Sequence, residues 1–147
     1  MASGVYNHGK AQLFKGALAW DSGLDSDFQV LLVGTGYTPN ADHDHVSDVT
    51  AYELSGTGYS RQNLALAGRV VVEDDTNDRA QLSANSVTWT GISAGTIRYA
   101  IVFKNNTNDN TRSLVAWIDS TMFQPSGLVT NGGDVVLSFP NGVLRAS

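Results

Sequence analysis

From Thr96 to Lys104 the chain alternates with a period of two. Ile97, Tyr99, Ile101 and Phe103 fall on one side of an extended backbone, and Arg98, Ala100, Val102 and Lys104 fall on the other. A helix would scatter these side chains around its axis, whereas a strand sorts them onto two faces, so the segment reads as a half-buried β-strand. The pattern recurs at 86–90, with Val87 and Trp89 inward and Ser86, Thr88 and Thr90 outward. Leu114–Ile118 is apolar on both faces, as a central strand is. Further strands are expected at 17–20, 28–33, 49–54, 68–73, 79–83, 133–139 and 142–145. Clusters of turn-forming residues separate them at 21–27, 34–48, 55–63, 74–78, 105–111, 125–133 and 140–142. Helical spacing occurs only over 8–16, where Ala11, Phe14 and Leu18 share a face and Gly9 and Gly16 weaken the pattern. Short strands at this spacing predict an all-β fold, an antiparallel β-sandwich of jelly-roll type with at most one short N-terminal helix.

Composition agrees with this reading. The chain has 12 Asp but 2 Glu and 3 Lys, while Val, Thr, Ser, Gly and Asn supply nearly half of its 147 residues. Those proportions favour pleated surfaces and turns over helix. The length suits one domain over 1–147, with 1–9 as a flexible N-terminal arm. Net charge is −5 and the nine basic residues stand singly. Nucleic acid and anionic membrane surfaces are therefore not expected partners, because both demand clustered cations. The longest apolar runs are five residues, against about 20 for a membrane span and about 7–15 for a signal-peptide core. The expectation is a chain made and kept in a cytosol, and zero cysteine fits a reducing compartment.

Several motifs have residues capable of chemistry. Gly91-Ile92-Ser93-Ala94-Gly95 fits the G-x-S-x-G elbow, but a strand rather than a helix is expected next, and all three histidines precede the serine. It reads as a hairpin turn. Asp42-His43-Asp44-His45 is the densest set of metal-capable side chains, and an extended backbone would point both imidazoles the same way. A polar loop is the simpler reading. Asp74-Asp75-Thr76-Asn77-Asp78 and the group Asp21, Asp25 and Asp27 lack the calcium-loop pattern and read as turns closed by side-chain-to-backbone hydrogen bonds. Gly56-Thr57-Gly58 lacks the lysine and helix of a phosphate loop. No catalytic residue, cofactor or metal ligand is assigned, and an enzyme is not expected.

The order of several sequence blocks adds a further expectation. Gly16-Ala-Leu-Ala-Trp-Asp21 precedes an apolar strand and then Gly36-Tyr37-Thr38-Pro39-Asn40-Ala41-Asp42-His43. Tyr52-Glu-Leu-Ser-Gly-Thr-Gly-Tyr59, Ala67-Gly-Arg-Val70, Val87-Thr-Trp89, Arg98–Lys104 and Leu114–Asp119 follow in order. Over roughly residues 10–145 the chain resembles a group of small tailed-bacteriophage virion proteins, of the head decoration (cement) type. The resemblance implies a β-sandwich on the capsid exterior, assembled in the host bacterial cytoplasm, that bridges neighbouring major capsid subunits. Its partners would be the major capsid protein and further copies of itself, as a dimer or trimer. The alternative is a phage tail, fibre or baseplate-associated binding module; a carbohydrate-binding or hydrolytic sandwich is the third reading. Loops 34–48 and 55–63 and the N-terminal arm are the expected contact surfaces, with Tyr37, Pro39, His43, His45, Tyr59 and Arg61 as candidate contact residues.

Overall fold

A computed structural model describes residues 3–120, 123–124 and 129–146. Eleven strands and one α-helix are present among them: β1 (Gly4–Val5), α1 (Asn7–Phe14), β2 (Phe28–Val33), β3 (Gln62–Asn63), β4 (Val70–Asp74), β5 (Arg79–Ser83), β6 (Val87–Trp89), β7 (Tyr99–Lys104), β8 (Ser113–Asp119), β9 (Phe123–Gln124), β10 (Val135–Leu137) and β11 (Leu144–Ala146). The fold is all-β with one short helix, as the alternation requires. All strand pairs are antiparallel and form a five-stranded sheet, β1-β8-β7-β2-β3, and two three-stranded sheets, β6-β10-β9 and β11-β5-β4.

The 96–104 strand departs from the half-buried expectation, because both of its faces are covered. Ala100 and Val102 join Phe28, Val30, Leu32, Val115, Ala116 and Ile118 in a cluster that also takes Leu82, Trp89, Leu137 and Leu144 from the two smaller sheets. On the opposite face Tyr99, Ile101 and Phe103 pack with Leu31, Val33, Leu114 and Trp117 under Tyr6, Tyr37, Val46 and Val49. The face that alternation left to solvent, with Ala100 and Val102 between Arg98 and Lys104, is instead covered by side chains from the two smaller sheets, which no pattern within 96–104 reports. A bulge opposite Val102–Phe103 lets Val115 and Ala116 face the same cluster.

Two expected strands take other forms. Residues 49–54 lie in short 3₁₀ turns, Val46–Asp48 and Thr50–Tyr52, followed by a single bridge from Val33 to Glu53. Val46 and Val49 are both buried at a spacing of three, which suits a 3₁₀ turn and not a strand. At 17–20 Leu18 and Trp20 are buried at a spacing of two, yet Ala19 has φ 23° and the segment joins no sheet.

Within the expected arm 1–9, residues 4–9 are docked on the sheet rather than free. Gly4 and Val5 pair with Trp117 and Ala116, Tyr6 is buried, and the Tyr6 amide donates to Val115 O at 3.1 Å. The helix that follows turns a different face inward from the expected one: Phe14 is 88% exposed, while Gly9 is buried and Leu13 packs against the core. Gly9 makes this docking feasible. A Cβ there would lie 2.8 Å from Val115 O and 2.9 Å from Leu114 O, both immobile backbone atoms of β8. Replacing a helix-interior glycine with alanine ordinarily stabilises by about 1 kcal/mol. Here the sign reverses, and Gly9→Ala is expected to cost about 1–3 kcal/mol by overpacking. A thermal melt checks this, and a higher midpoint would show that α1 is not clamped to β8.

Candidate interaction surface

Tyr37, Ala41, Val46 and Val49 cover the Tyr99/Ile101/Phe103 face of the large sheet, Leu54 and Tyr59 pack against the opposite cluster, and Val46, Ser47 and Arg61 meet the 105–112 loop. Side chains expected to point outward from this tier are largely spent inside it. Tyr37 is buried, its hydroxyl 2.8 Å from that of Tyr6 and 3.3 Å from His43 Nδ1. Burial holds both phenols above their ordinary pKa, so they remain neutral hydrogen-bonding groups. Pro39 is buried as well. As outward contacts, Tyr37 and Pro39 are therefore corrected, because the sheet face beneath them is apolar and draws the loop down.

His43 and His45 do not form a shared pair. His43 turns to Tyr37, whereas the His45 ring lies 5.0 Å from the ring of His8 on α1. Asp48 accepts from the amides of Asp44 and His45 and bends the backbone between the extended segment and the first 3₁₀ turn. Among the described residues, no group of three His, Asp or Glu is arranged to hold a metal ion.

Arg61 joins the tier to the neighbouring loop. Its Nε and Nη2 donate to the two Glu53 oxygens at 2.8 and 2.7 Å, and its Nη1 and Nη2 donate to the two Asp109 oxygens at 2.8 and 3.0 Å. Arg112 donates to Asp109 at 2.6 Å and to Asn105 at 2.7 Å, and the Arg61 guanidinium lies 5.5 Å from the Phe103 ring centre. Tyr59 completes the group by donating to Glu53 at 2.7 Å and accepting from the Leu32 amide at 3.1 Å. Arg61, then Arg112, hold the Asp109 carboxyl down at about 2. Two bidentate carboxylate pairs on one guanidinium leave it little capacity for an external ligand. Tyr59 and Arg61 are thus braces that fix the shape of the surface.

The exposed aromatic of this tier is Tyr52, 41% accessible, with its ring 5.4 Å from that of Tyr37. The spacing of Val46, Val49 and Tyr52 by threes would place it inward with the two valines, so its exposure has no signal in the sequence.

His8 brings together groups far apart in sequence. Its Nε2 lies 3.1 Å from Ser113 Oγ and 3.1 Å from Gln12 Nε2, and its Nδ1 lies 3.7 Å from Asp44 Oδ1. These are the residue types of a nucleophile, base and carboxylate, which the sequence reading had not assembled. Ser113, however, sits within a strand and is paired with Lys104 on one side and bridged to His45 on the other. Acyl chemistry needs a serine at a turn with free amides around it. The group works as a latch between α1, the 41–48 loop and β8.

The remaining motifs have structural roles. Gly91–Gly95 is a turn but not the expected hairpin, because β6 pairs with β10 while β7 lies in the large sheet, so the turn crosses between sheets; its Ser93 amide donates to Thr57 O at 2.7 Å. Gly56 and Gly58 run so close to this turn that a Cβ on either would strike the backbone carbonyl of Ser93 or Gly91. Asp74 accepts from the Asn77 amide and from Arg79 Nε, closing the β4–β5 turn. Asp25 and Asp27 likewise accept from the amides of Leu66 and Leu24.

A second surface differs from these polar braces in chemical character. Leu13, Leu18, Trp20, Val71, Leu82 and Leu144 line an open apolar groove of about 300 Å³. Phe14 follows Leu13 at the end of α1, and Val70 and Val71 of the edge strand β4 are 45% and 51% exposed. No family model matches the chain, and neither a curated protein nor a solved structure matches it.

Proposed function

We propose that this chain is a non-enzymatic virion structural protein of a tailed bacteriophage, one that binds the capsid exterior and bridges neighbouring major capsid subunits. The block order described above suggests the role. The observation that supports it best is the Arg61-centred brace, which locks 34–63 and 105–112 into a surface shaped before any partner arrives. Preorganisation of this kind lowers the ordering cost of association. Weak contacts of each copy add up when they are repeated over a shell. The exposed members of the tier, Tyr52 with the polar side chains around it, would meet the capsid, while Tyr37, Pro39, Tyr59 and Arg61 hold them in position. The shared cluster between the large sheet and the two small ones supports a sandwich of jelly-roll type.

Adding purified protein to phage heads that lack it is expected to give saturable binding at a copy number close to that of the major capsid protein, with heads that resist heat better. Tyr52→Ala should weaken that binding roughly tenfold while leaving the melting temperature within about 2 °C, since an exposed aromatic contributes to interfaces more than to the core. Saturation at a few copies located at the tail would overturn the reading in favour of a tail or baseplate module.

A further inference from the structure

We propose that the free edge of β4 pairs antiparallel with β4 of a second copy of this chain, joining two β11-β5-β4 sheets into one. Among the described residues β4 is paired only with β5, through an unbroken register from Val70↔Ser83 to Asp74↔Arg79. Soluble proteins blunt such edges with lysine, proline, bulges or a covering loop, because a bare row of amides and carbonyls templates another strand. Val70-Val71-Val72-Glu73-Asp74 has no lysine, proline or bulge and carries charge only at its end, and its first two valines are about half exposed on alternate faces.

Charge selects the occupant and its direction. The strand is apolar at its start and acidic at its end. A parallel second copy would set Glu73 against Glu73, which is repulsive. An antiparallel copy centred on Val71 places Val71 opposite Val71 and Val70 opposite Val72, and sends the two acidic ends apart. Glu73 then faces position 69, whose guanidinium is turned inward over the Trp20 and Phe28 rings, while Asp74 is already engaged by Arg79. The pattern is therefore self-complementary about a two-fold axis, as an isologous dimer requires. A five-residue ladder is about 17 Å long and too small on its own for a stable interface of about 1,200–2,000 Å². The apolar groove that starts at Val71 and runs over β5 and β11, with Phe14 following Leu13, supplies further apolar surface on the Val71 face of the sheet.

The inference rests on the proposed structural role only in that it names self-association as one of that role's contacts. Sedimentation velocity of the purified chain over roughly a hundredfold concentration range tests it, since dimerisation follows mass action. The expected result is a monomer of 15.6 kDa giving way to a dimer, with no larger species. Val71→Lys places two ammonium groups against each other at the axis and should raise the dimer dissociation constant roughly a hundredfold, whereas Val71→Ile should retain the dimer. Circular dichroism establishes that each variant is folded, and hydrogen exchange of the wild-type chain should show protection of 70–74 that fades on dilution. A monomer at every concentration, a trimer, or a Val71→Lys dimer of wild-type affinity would overturn the inference. Head binding is scored separately: a β4 dimer that ignores heads refutes only the capsid role, and a chain that binds heads without dimerising refutes only this pairing.

Discussion

Replacing Arg61 with Met is expected to destabilise the protein by about 2–4 kcal/mol. Removing one partner of a buried ion pair typically costs about 3–5 kcal/mol, because the remaining charge stays desolvated without compensation. The lower range applies because the Arg61, Glu53 and Asp109 side chains keep 22%, 16% and 31% of their surface in water. Without the guanidinium, Glu53 and Asp109 face each other with only Arg112 nearby. At about 2–4 °C per kcal/mol for a chain near this size, the midpoint should fall by roughly 5–15 °C. The effect also has a pH signature. Asp109 is held at about 2, below its ordinary 3.8, so its pairing contributes stability in full above about pH 4 and loses it as pH falls toward 2. The gap between wild type and Arg61→Met should therefore be widest near neutrality and narrow through that window. Melting curves that stay parallel from pH 7 to about pH 2 would show that the brace is not the source of the loss.

Trp89→Ala should cost about 3–5 kcal/mol, the range for truncating a buried tryptophan. The ring has no exposed surface, and its strand pairs with β10 while its core partners come from all three sheets. Its Nε1 also donates to Ser60 O at 2.8 Å, which ties the small β6 sheet to the loop that carries Arg61. Trp89→Phe separates the two contributions: it keeps most of the apolar volume, and water can satisfy the exposed Ser60, so it should cost about 1–2 kcal/mol. Urea titration measures both. A Trp89→Ala loss below about 1 kcal/mol would mean that the sheets do not depend on this ring to stay together.

The two variants probe features that differed in how visible they were beforehand. Trp89 lies in a segment whose alternation predicted both its strand and its inward direction, since side chains two apart on a pleated backbone share a face. Strands at 28–33, 79–83 and 113–119 were legible for the same reason, and so was the turn at 74–78, where Asp74 reaches an amide three residues away. Arg61 was singled out as an outward contact and proved to be an inward brace. Its partner Asp109 lies 48 residues away, and His8 and Ser113 are 105 apart. No short-range regularity encodes such meetings. Tyr37 and Phe14 were misjudged in opposite directions: a turn tyrosine went in, and a helix phenylalanine with apolar spacing stayed out.

The amino-acid sequence by itself determined that this chain is a succession of short antiparallel strands and tight Asp-, Asn- and Gly-closed turns. Those preferences act within a few residues through backbone sterics and local hydrogen bonds. Only the tertiary structure decided which surfaces remain for partners. Burial depends on whether a second face is covered, and here the cover came from loops distant in the chain. Those loops took Tyr37 and Pro39 inward and left Tyr52 in water, while Phe14 on α1 and Val70 and Val71 on the edge strand β4 stay exposed because nothing packs over them among the described residues.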